Sequence, residues 1–381
     1  MPAEALSLFI LAGEPSGDRI GAAVIAGLRQ RTELTLAGVG GSAMGDEGLR
    51  SLFPMSDLSV MGFSDVVRRL PLLLWRVRQT VRAILRQWPD LVVLIDSQVF
   101  SAAIAKRLRR AGYAGRIVLY VAPAVWAWKP ERAPELKALF NEVLAVLPFE
   151  PAAMARLGGP PTAYVGHPAL QRFPFREQQP GRGPLLLLPG SRIGEIRRTL
   201  PLLREVAERL QDHPRIDGFV LPTPAALRGH LAAETAAWAV PVRVVSGEAE
   251  TLGSFAMAVA AVAVTGTVTL ELALAGVPMV TTYVADAGQA KRFARYKVQY
   301  VALPNIILDA PVVPEILFSD PPEAARLVEA VRDLLDRPTA DATQLAAFSR
   351  LRCLMETGAP EAPAEDPAER LLATLPRLSG S

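Results

Sequence analysis

One carboxylate of this sequence stands where a buried strand should end. The stretch LIDSQVFSAA (residues 94–103) follows an apolar run and places Asp96 directly after the last predicted strand residue. An aspartate at such a position could act as a general base that takes a proton from a hydroxyl group. It could equally be only the polar end of the strand. The residues themselves leave both interpretations of Asp96 open.

A glycine-rich turn, LAGEPSGDRIGA (residues 11–22), connects a predicted strand to a helix that begins near Asp18. Gly13, Gly17 and Gly21 let the backbone approach a ligand closely, and the N–H groups at a helix start attract an anion or sugar oxygens. The spacing is not G-x-G-x-x-G, so it gives little support to a dinucleotide site. A tight turn whose glycines serve packing is the alternative.

An arginine occupies an unusual position in LLPGSRIGEIRRTLP (residues 187–201). Ser191 and Arg192 follow a predicted strand, and a helix begins directly after them. A helix start repels a cation because the macrodipole is positive there. A diphosphate at this turn would explain Arg192, since the arginine would neutralise charge and backbone N–H groups would hold oxygens. A surface arginine that points to solvent is the alternative.

A third strand-to-helix turn lies in VTGTVTLELALAGVPMV (residues 264–280). It contains Thr265, Gly266 and Thr267, and either Thr267 or Thr269 is the predicted N-cap. Glu271 lies in the first turns of the helix, where a carboxylate could accept the two hydroxyls of a ribose. Taken alone, Glu271 is better explained as a partner of the helix dipole. Together with the arginine of the preceding motif, it favours a bound nucleotide diphosphate.

A basic amphipathic helix is predicted for VVRRLPLLLWRVRQTVRAILRQW (residues 66–88), which holds six arginines and no acid. The apolar side chains that share one face are Leu70, Leu73, Leu74, Val77, Val81, Ile84 and Leu85. Arg78, Arg82 and Arg86 fall on another face. Such a helix, flanked by Trp75 and Trp88, is typical of a membrane surface or an acidic-lipid site. A domain helix with a solvated basic face is the alternative, and no aromatic stacking pattern supports nucleic acid.

The composition limits the classes of function. The chain has 381 residues and a net charge of +3, so its overall charge does not indicate a nucleic-acid partner. The single cysteine, Cys353, excludes an internal disulfide, and three separated histidines argue against a histidine metal site. The first apolar run follows no basic residue, which predicts a strand rather than a signal peptide. No apolar segment reaches the roughly 18 residues of a spanning helix.

Short apolar runs alternate with helical patterns, which predicts an α/β fold with parallel sheets. The predicted strands are SLFILAG, LTLAGVG, DLVVLID, RIVLYVA, EVLAVLP, LLLLPGS, GFVLP, VRVVS, AVAAVAVTG and VPMVTTYVA. They form two Rossmann-like domains whose sheets face a central cleft. The predicted boundaries are 1–172 for the first domain, 173–183 for a linker and 184–345 for the second domain. Residues 346–381 are predicted as a C-terminal helix and a loosely ordered Pro/Glu-rich tail, which crosses back or makes an oligomer contact.

The order and spacing of the motifs resemble the lipid-A-disaccharide synthase family. The motifs that carry this resemblance, besides the three turns above, are GVGGSAMGDEGLRSLFPMSDLSVMGFSDVVRRLP, YVAPAVWAWKPERA, LPFEP, YVGHPAL and YVALPNIILDAPVVPEIL. They extend from about residue 8 to residue 317. The resemblance implies an inverting, metal-independent glycosyltransferase of the two-Rossmann GT-B type, without a cofactor. The implied reaction joins UDP-2,3-diacylglucosamine to 2,3-diacylglucosamine 1-phosphate and releases UDP.

The resemblance also implies roles for individual residues. Asp96 would take the proton from the acceptor 6-hydroxyl, and Arg192 would meet the diphosphate. The residues implied to bind the UDP-sugar are Ser191, Arg192, Thr265, Gly266, Thr267, Glu271 and Asn305. The residues expected to contact the acceptor or its lipid are Gly13, Glu14, Ser16, Gly17, Met61, Leu73, Leu74, Trp75 and Arg78. Residues 60–75 match the lipid-facing region of the family, so an anionic membrane surface is an expected partner.

Three motifs depart from the usual family pattern. Where the family reads I-D-x-P-D-F-N, this chain keeps Asp96 but has Gln98, Val99 and Ser101. The usual AGR is replaced by residues 308–310 (LDA), and the usual glutamine after PE-[LI]-L is Phe318. One alternative hypothesis is therefore a divergent paralogue with an altered substrate, or an impaired protein that only binds nucleotide-sugar or lipid. A related UDP-sugar epimerase is another, but it leaves the basic helix unexplained.

The expected location is the cytoplasmic face of the inner membrane of a Gram-negative bacterium, with peripheral attachment. This expectation follows from the resemblance and from the predicted basic helix. The chain could form a homodimer, and no nucleic-acid partner is expected.

Overall fold

The computed structural model describes residues 5–58, 63–127, 129–285, 289, 299–319 and 323–375, with the side chains of 63–68, 319 and 338–340 left out. The chain divides into two compact units, residues 1–168 with 357–381 and residues 169–356. The boundary falls at Pro168 and Ala169, before the predicted linker. The stretch predicted as that linker packs on the second unit, where Phe173 stacks on Phe255 with ring centroids 5.5 Å apart.

The first unit is a six-stranded parallel sheet covered by helices, in the order β2-β1-β3-β4-β5-β6. Its strands are β1 Leu6–Ala12, β2 Leu34–Val39, β3 Leu91–Ile95, β4 Arg116–Tyr120, β5 Glu142–Ala145 and β6 Thr162–Tyr164. Its helices are α1 Pro15–Arg29, α2 Ser42–Asp46, α3 Phe63–Gln87, α4 Gln98–Arg110, α5 Ala133–Lys137 and α6 Glu150–Arg156, with 3-10 turns at Met55–Asp57 and Pro130–Arg132.

The second unit repeats this plan with the strand order β12-β11-β10-β7-β8-β9, again all parallel. Its strands are β7 Gly183–Leu188, β8 Ile216–Pro222, β9 Val242–Val245, β10 Ala260–Val264, β11 Met279–Ala285 and β12 Glu315–Ser319. Its helices are α7 Ala169–Arg172, α8 Ile193–Leu210, α9 Ala225–Thr235, α10 Glu248–Met257, α11 Thr267–Leu274, α12 Leu303–Leu308, α13 Ala324–Asp336 and α14 Pro338–Thr357, whose last residue belongs to the first unit.

Apolar runs form the central strands because both faces of each sheet are covered. All five residues of β3 are fully buried, as a strand with helices on both faces requires. In α4, Ile104, Ala105 and Leu108 are buried at helical spacing. The predicted α/β class with two Rossmann-like domains is therefore confirmed.

The Pro/Glu-rich tail is ordered, so the prediction of a loose tail was wrong for the residues described. Strands β13 Gly358–Ala359 and β14 Ala362–Pro363 form a hairpin, and helix α15 Pro367–Ala373 follows. The Asp366 side chain caps this helix by accepting from Glu369 N. Arg370 Nε donates to Glu142 Oε1 at 2.7 Å, and Arg116 Nη2 donates to Glu142 Oε2 at 2.6 Å. These bonds fasten the tail to the first unit.

Candidate active site

Asp96 lies at the carboxyl edge of the first sheet, directly after β3. Its backbone N donates to Tyr120 O at 2.9 Å, and Ser101 Oγ donates to Asp96 O at 2.8 Å. Asp96 and Ser97 both have positive φ, 51° and 44°. Such a conformation is uncommon outside glycine and often marks functional sites. Ser101, one of the departures from the family pattern, thus helps to hold the candidate base.

Burial sets the acid strength of Asp96. Loss of solvent raises the pKa of its carboxyl group, and a hydrogen bond from the Ser97 backbone lowers it in part. A carboxylate with a raised pKa is a stronger base while still ionised near neutral pH. Asp96 therefore has the electrostatics of a general base as well as the position of a strand terminus.

The glycine-rich turn after β1 lies beside Asp96. Ala12 pairs with Ile95 in the parallel register of β1 and β3, so the two strands end together. A Cβ atom on Gly13 would overlap the Ser97 hydroxyl, and one on Gly17 would lie 3.2 Å from Ile95 Cγ2. Packing thus explains these two glycines. Glu14 is the N-cap residue of α1 and, like Ser16, is exposed at this edge. The structure thus brings Gly13, Glu14, Ser16 and Gly17 to the same sheet edge as the candidate base.

The loop after β4 belongs to the same edge and was not assigned any role from the sequence. Val121 has φ of 74°, which is strained for a β-branched residue. Trp126 Nε1 donates to Glu150 Oε1 at 3.2 Å, and Leu147 N donates to Glu150 Oε2 at 3.0 Å. Burial raises the pKa of Glu150 to about 7, although these hydrogen bonds lower it. Trp126 lies in the motif YVAPAVWAWKPERA and Glu150 in the motif LPFEP. Both motifs were recognised in the sequence, but the pairing of these two residues was not predicted.

Helix α3 presents an apolar patch beyond the core. Leu70, Leu74 and Trp75 are 47%, 41% and 52% exposed, whereas Val77, Val81 and Ile84 on the predicted face are buried. Leu73 is partly buried against the core, and Arg78 is exposed. The predicted single apolar face is therefore divided between the core and the surface. Met61, another expected lipid contact, lies outside the described residues.

The second candidate ligand site lies at the carboxyl ends of β7 and β10. These strands pair in parallel, with Ala263 opposite Leu188. The turn after β7 contains Gly190 with φ of 103°, and a Cβ there would lie 3.1 Å from Glu195 Oε2. Ser191 is exposed in this turn.

Arg192 is the N-cap residue of α8, as the sequence predicted for a cation at a helix start. Its side chain is 81% exposed, and its Nη1 lies 2.8 Å from Glu195 Oε1. Glu195 offsets the repulsion between this cation and the helix dipole. The exposed guanidinium can exchange Glu195 for an incoming phosphate at small cost, because an exposed ion pair contributes little.

The turn after β10 lies next to that after β7. Thr265 N donates to Thr282 O on β11, and Gly266 and Thr267 are exposed at the helix start. The N-cap of α11 is Gly266, so the prediction of Thr267 or Thr269 was wrong. Gly266 has φ of 146°, and Thr269 Oγ1 donates back to Gly266 O at 2.7 Å. The threonine hydroxyl is thus used inside the helix, while the flexible glycine makes the turn.

Glu271 is a partly buried carboxylate four residues into α11. Arg172 Nη1 lies 3.8 Å from Glu271 Oε1, and Arg172 Nε donates to Glu248 Oε1 at 2.8 Å. An arginine partner is a better explanation of Glu271 than the helix dipole alone, because the dipole effect is confined to the first turn. Sequence reasoning missed Arg172, whose partners lie far along the chain.

Asn305 lies in the interior of the second unit rather than at a surface turn. Its Nδ2 donates to Val313 O and to Glu315 Oε1, both at 2.8 Å, and its Oδ1 accepts from Val313 N at 2.8 Å. Glu315 also accepts from the backbone N–H groups of Val301 and Ala302. In this structure, therefore, the amide group that the resemblance assigns to UDP-sugar binding organises the chain around α12.

The residue that replaces the usual family glutamine, Phe318, is buried in the core cluster of the second unit. Gln98 and Val99 begin α4 beside Asp96, and the Val99 side chain is exposed. Within the described residues, no group of three or more His, Cys, Asp or Glu side chains is placed to hold a metal ion. None of the helices, in the part of the chain that the structure covers, is long and apolar enough to cross a bilayer.

Two parallel α/β units with candidate ligand residues at the strand ends define a protein of the two-Rossmann, GT-B type. Among solved structures, the fold is similar to that of a S. aureus MnaA–UDP complex, with 12% identity, a TM-score of 0.64 and 96% of this chain and 95% of that one covered. It is also similar to Acinetobacter baumannii MurG, with 11% identity, a TM-score of 0.53 and coverage of 97% and 99%. At such low identity, these likenesses show the fold alone.

The sequence comparison identifies the family. Residues 8–355 match the family model described as lipid-A-disaccharide synthetase. The chain is 43% identical over 366 residues to the lipid-A-disaccharide synthase of Rhodopseudomonas palustris, covering 92% of each chain. It is 41% identical over 380 residues to that of Bradyrhizobium diazoefficiens, covering 97% of this chain and 96% of the relative. The chain belongs to the lipid-A-disaccharide synthase family.

The family membership decides between the alternatives that the sequence left open. The chain is a glycosyltransferase that forms the lipid A disaccharide from a nucleotide-sugar donor and a sugar acceptor. High identity along nearly the whole chain does not favour an impaired paralogue or an epimerase. The prediction of enzyme class made from the motifs is therefore confirmed.

Proposed function

We propose that the donor is UDP-2,3-diacylglucosamine and the acceptor is 2,3-diacylglucosamine 1-phosphate. The acceptor 6-oxygen forms a bond to C1 of the donor sugar while the bond from C1 to the UDP oxygen breaks. The hydroxyl proton passes to a base, and UDP leaves with the electron pair of the broken bond. The single observation that carries this proposal is the half-buried, strained Asp96 at a strand terminus, with its pKa raised by the loss of solvent.

Asp96 is the base in this proposal. Its carboxylate accepts the proton of the acceptor hydroxyl as the new bond forms, which avoids a charged oxonium product. Two observations support the assignment. The Ser101 hydroxyl and the Tyr120 carbonyl fix the backbone of Asp96, so the carboxylate starts from a defined position. Exposed Glu14 and Ser16 on the adjacent turn supply polar groups for the acceptor sugar.

The second unit binds the UDP part of the donor in this proposal. Arg192 and the N–H groups at the start of α8 bind the diphosphate, and Ser191 contributes a hydroxyl. Glu271 accepts the ribose hydroxyls near the turn formed by Thr265, Gly266 and Thr267. The support is chemical: an exposed guanidinium stands at one strand end, and a partly buried carboxylate belongs to the helix that follows the neighbouring strand.

We further propose that the leaving UDP is stabilised by protein groups, without a metal or cofactor. Developing negative charge on a diphosphate can be stabilised by preorganised cations and helix N–H groups. Arg192 at the start of α8 supplies both kinds of group at one place. Titration of the enzyme with a chelator should therefore leave the rate of UDP release unchanged, whereas a metal-dependent enzyme would lose activity.

The patch of Leu70, Leu74 and Trp75 is proposed to hold the enzyme peripherally on the cytoplasmic face of the inner membrane. Exposed apolar side chains beside an arginine-rich helix face fit a surface of anionic lipid. Arg76 fixes this patch, because its Nε donates to Asp57 Oδ2 at 2.9 Å and its guanidinium covers the Trp75 ring. The homodimer also stays a prediction, which sedimentation of the purified enzyme would test.

The test is incubation of the purified chain with the proposed donor and acceptor, followed by measurement of UDP and disaccharide 1-phosphate. Equal amounts of both products are expected. Two control arms omit the acceptor or replace the donor with UDP-GlcNAc. UDP release without disaccharide, or a changed configuration at C2 of UDP-GlcNAc, would refute the assignment. If the chain binds UDP but forms no product, only the donor site of this proposal would remain supported.

A further inference from the structure

The loop that follows β4 is held in a strained conformation next to the candidate base. Val121 has φ of 74°, and its backbone N donates to Leu144 O at 2.9 Å. A bulky β-branched residue in this region persists only where surrounding contacts impose it. Since Asp96 N bonds to Tyr120 O, the loop starts one residue after the carbonyl that fixes Asp96. A displacement of the loop that moves Tyr120 O would therefore also move Asp96, through the hydrogen bond between Asp96 N and Tyr120 O.

A buried carboxylate anchors the far end of this loop. Glu150 uses both oxygens, one accepting from Trp126 Nε1 and the other from Leu147 N. The Trp126 ring also meets the Phe149 ring edge-on, with centroids 4.8 Å apart. Trp126 is thereby fixed on two sides, by a directed hydrogen bond and by an aromatic contact.

A buried carboxylate such as that of Glu150 is energetically unfavourable at a position with only a structural role. A buried carboxylate loses its solvation, and an apolar residue of similar size often serves stability as well or better. That cost is visible in the pKa of Glu150, which burial raises to about 7. The carboxylate accepts two directed hydrogen bonds, which set the orientation of the Trp126 indole and of the backbone at Leu147. An apolar residue would accept neither. Two directed hydrogen bonds are useful where the position of a side chain such as Trp126 has to be fixed.

We propose that Glu150 is a positioning residue for the acceptor, because it holds the loop of residues 121–127 through Trp126 and so fixes the edge where Asp96 meets the acceptor hydroxyl. The inference rests on the proposed function, in which the first unit binds the acceptor. The donor-binding residues of that proposal belong to the second unit, whereas Glu150 and Trp126 belong to the first. Changes at Glu150 should therefore separate the kinetics of the two substrates.

Two single variants interrupt the anchor at different atoms. Glu150→Gln places an amide N–H2 against one of two N–H donors, so one of the hydrogen bonds is lost. Trp126→Phe keeps the aromatic contact but removes the indole donor. The matched control is Tyr113→Phe, which deletes another buried hydrogen bond of the same unit, from Tyr113 Oη to Pro89 O at 2.6 Å. Pro89 precedes β3, at the end of the strand opposite to Asp96.

Both anchor variants should lower kcat/KM for the acceptor by about tenfold to a hundredfold, since small misplacement of a reacting group has effects of that size. The KM of the donor should stay within about twofold. The effects of the two single variants should not add in the double variant, because both loosen the same anchor. Tyr113→Phe should keep wild-type kinetics for both substrates.

A second readout does not depend on turnover. Hydrogen exchange of the backbone amides in residues 121–127 should be faster in both anchor variants than in wild type and in Tyr113→Phe. Unchanged acceptor kinetics together with unchanged exchange would overturn the inference, as would equal losses for donor and acceptor. If the wild-type chain makes no disaccharide, the proposed function fails. The exchange rates then decide separately whether Glu150 holds the loop.

Discussion

Burial of Glu150 makes the stability of the first unit depend on pH. The pKa of this carboxyl rises from 4.5 to about 7 in the folded chain. The folded state therefore binds the proton more tightly than the unfolded state. The contribution of Glu150 to stability is full below pH 4.5 and falls as the pH rises through about 7. The pKa difference of about 2.5, at roughly 1.4 kcal/mol for each factor of ten in proton affinity, amounts to about 3.5 kcal/mol.

The substitution Glu150→Gln removes this titration, so it isolates the effect. Between about pH 5.5 and pH 8, linkage predicts that the wild type loses about 2 kcal/mol of unfolding free energy at this site. The variant loses none there. Other titrating groups are common to both proteins and cancel in the difference. For a unit of this size, about 2 kcal/mol corresponds to a relative change in Tm of about 4–8 °C.

The assay is thermal unfolding of both proteins across this pH range, followed by the near-ultraviolet signal of the tryptophans. The difference in Tm, wild type minus variant, should decrease steadily as the pH rises. A constant free-energy cost of the amide in the variant does not alter the slope of this difference with pH. A difference that stays flat, or that increases with pH, would refute the assignment of Glu150 as a buried carboxyl with a raised pKa.

Three further perturbations have outcomes set by single contacts. Glu142→Ala removes the buried carboxylate that accepts from the partly buried Arg116 and Arg370, of which Arg370 keeps Glu365, and should lower the unfolding free energy of the first unit by about 1–3 kcal/mol, measured in urea. Gly190→Ala forces φ of 103° on a Cβ-bearing residue, so calorimetry should show a loss of about 1–3 kcal/mol in the second unit. Replacing Arg78, Arg82 and Arg86 with Gln should weaken salt-sensitive binding to anionic vesicles by about 1 kcal/mol per charge in a flotation assay.

Contradictory results for these variants are equally specific. Urea unfolding of Glu142→Ala at the wild-type midpoint would mean that the tail is held by other contacts. A Gly190→Ala protein of wild-type stability would show that the turn can relax to negative φ. Vesicle binding by the arginine variant that equals wild type at every salt concentration would leave α3 as a domain helix with a solvated basic face.

The sequence predicted the central strands well because burial on both faces leaves a continuous apolar run. Strand β3 and strand β10 are such runs, and both were predicted. The edge strands β2 and β9 were also predicted, but the edge strands β6 and β12 were not, since β6 has only three residues and β12 begins with a glutamate and exposes Leu317. An edge strand has fewer neighbours, so its sequence is less constrained toward apolar residues.

The candidate site was predictable to the extent that its residues follow strands directly. Asp96 and Arg192 could be chosen because the carboxyl ends of parallel strands collect ligands, and Glu271 because its helix begins at such a strand end. Glu150 could not, because a glutamate in the first turn of a helix is normally an exposed partner of the dipole. The pairing of Arg172 with Glu271 joins residues distant in sequence. Asn305 is the opposite case. It was predicted to bind the UDP-sugar, but its side chain makes hydrogen bonds to residues of its own unit.

Whether Asp96 is the catalytic base is tested most directly by comparing the steady-state rates of wild type and Asp96→Asn. Asp90→Asn is the control, because Asp90 binds Ser7 N at the other end of the same strands. The asparagine cannot accept the acceptor proton, so kcat should fall by about 10²–10⁴, while UDP affinity by calorimetry stays unchanged. The wild-type rate should also fall on acidification with a pKa above the ordinary aspartate value, since burial raises the pKa of Asp96. A folded Asp96→Asn enzyme with the wild-type kcat would show that Asp96 is not the base.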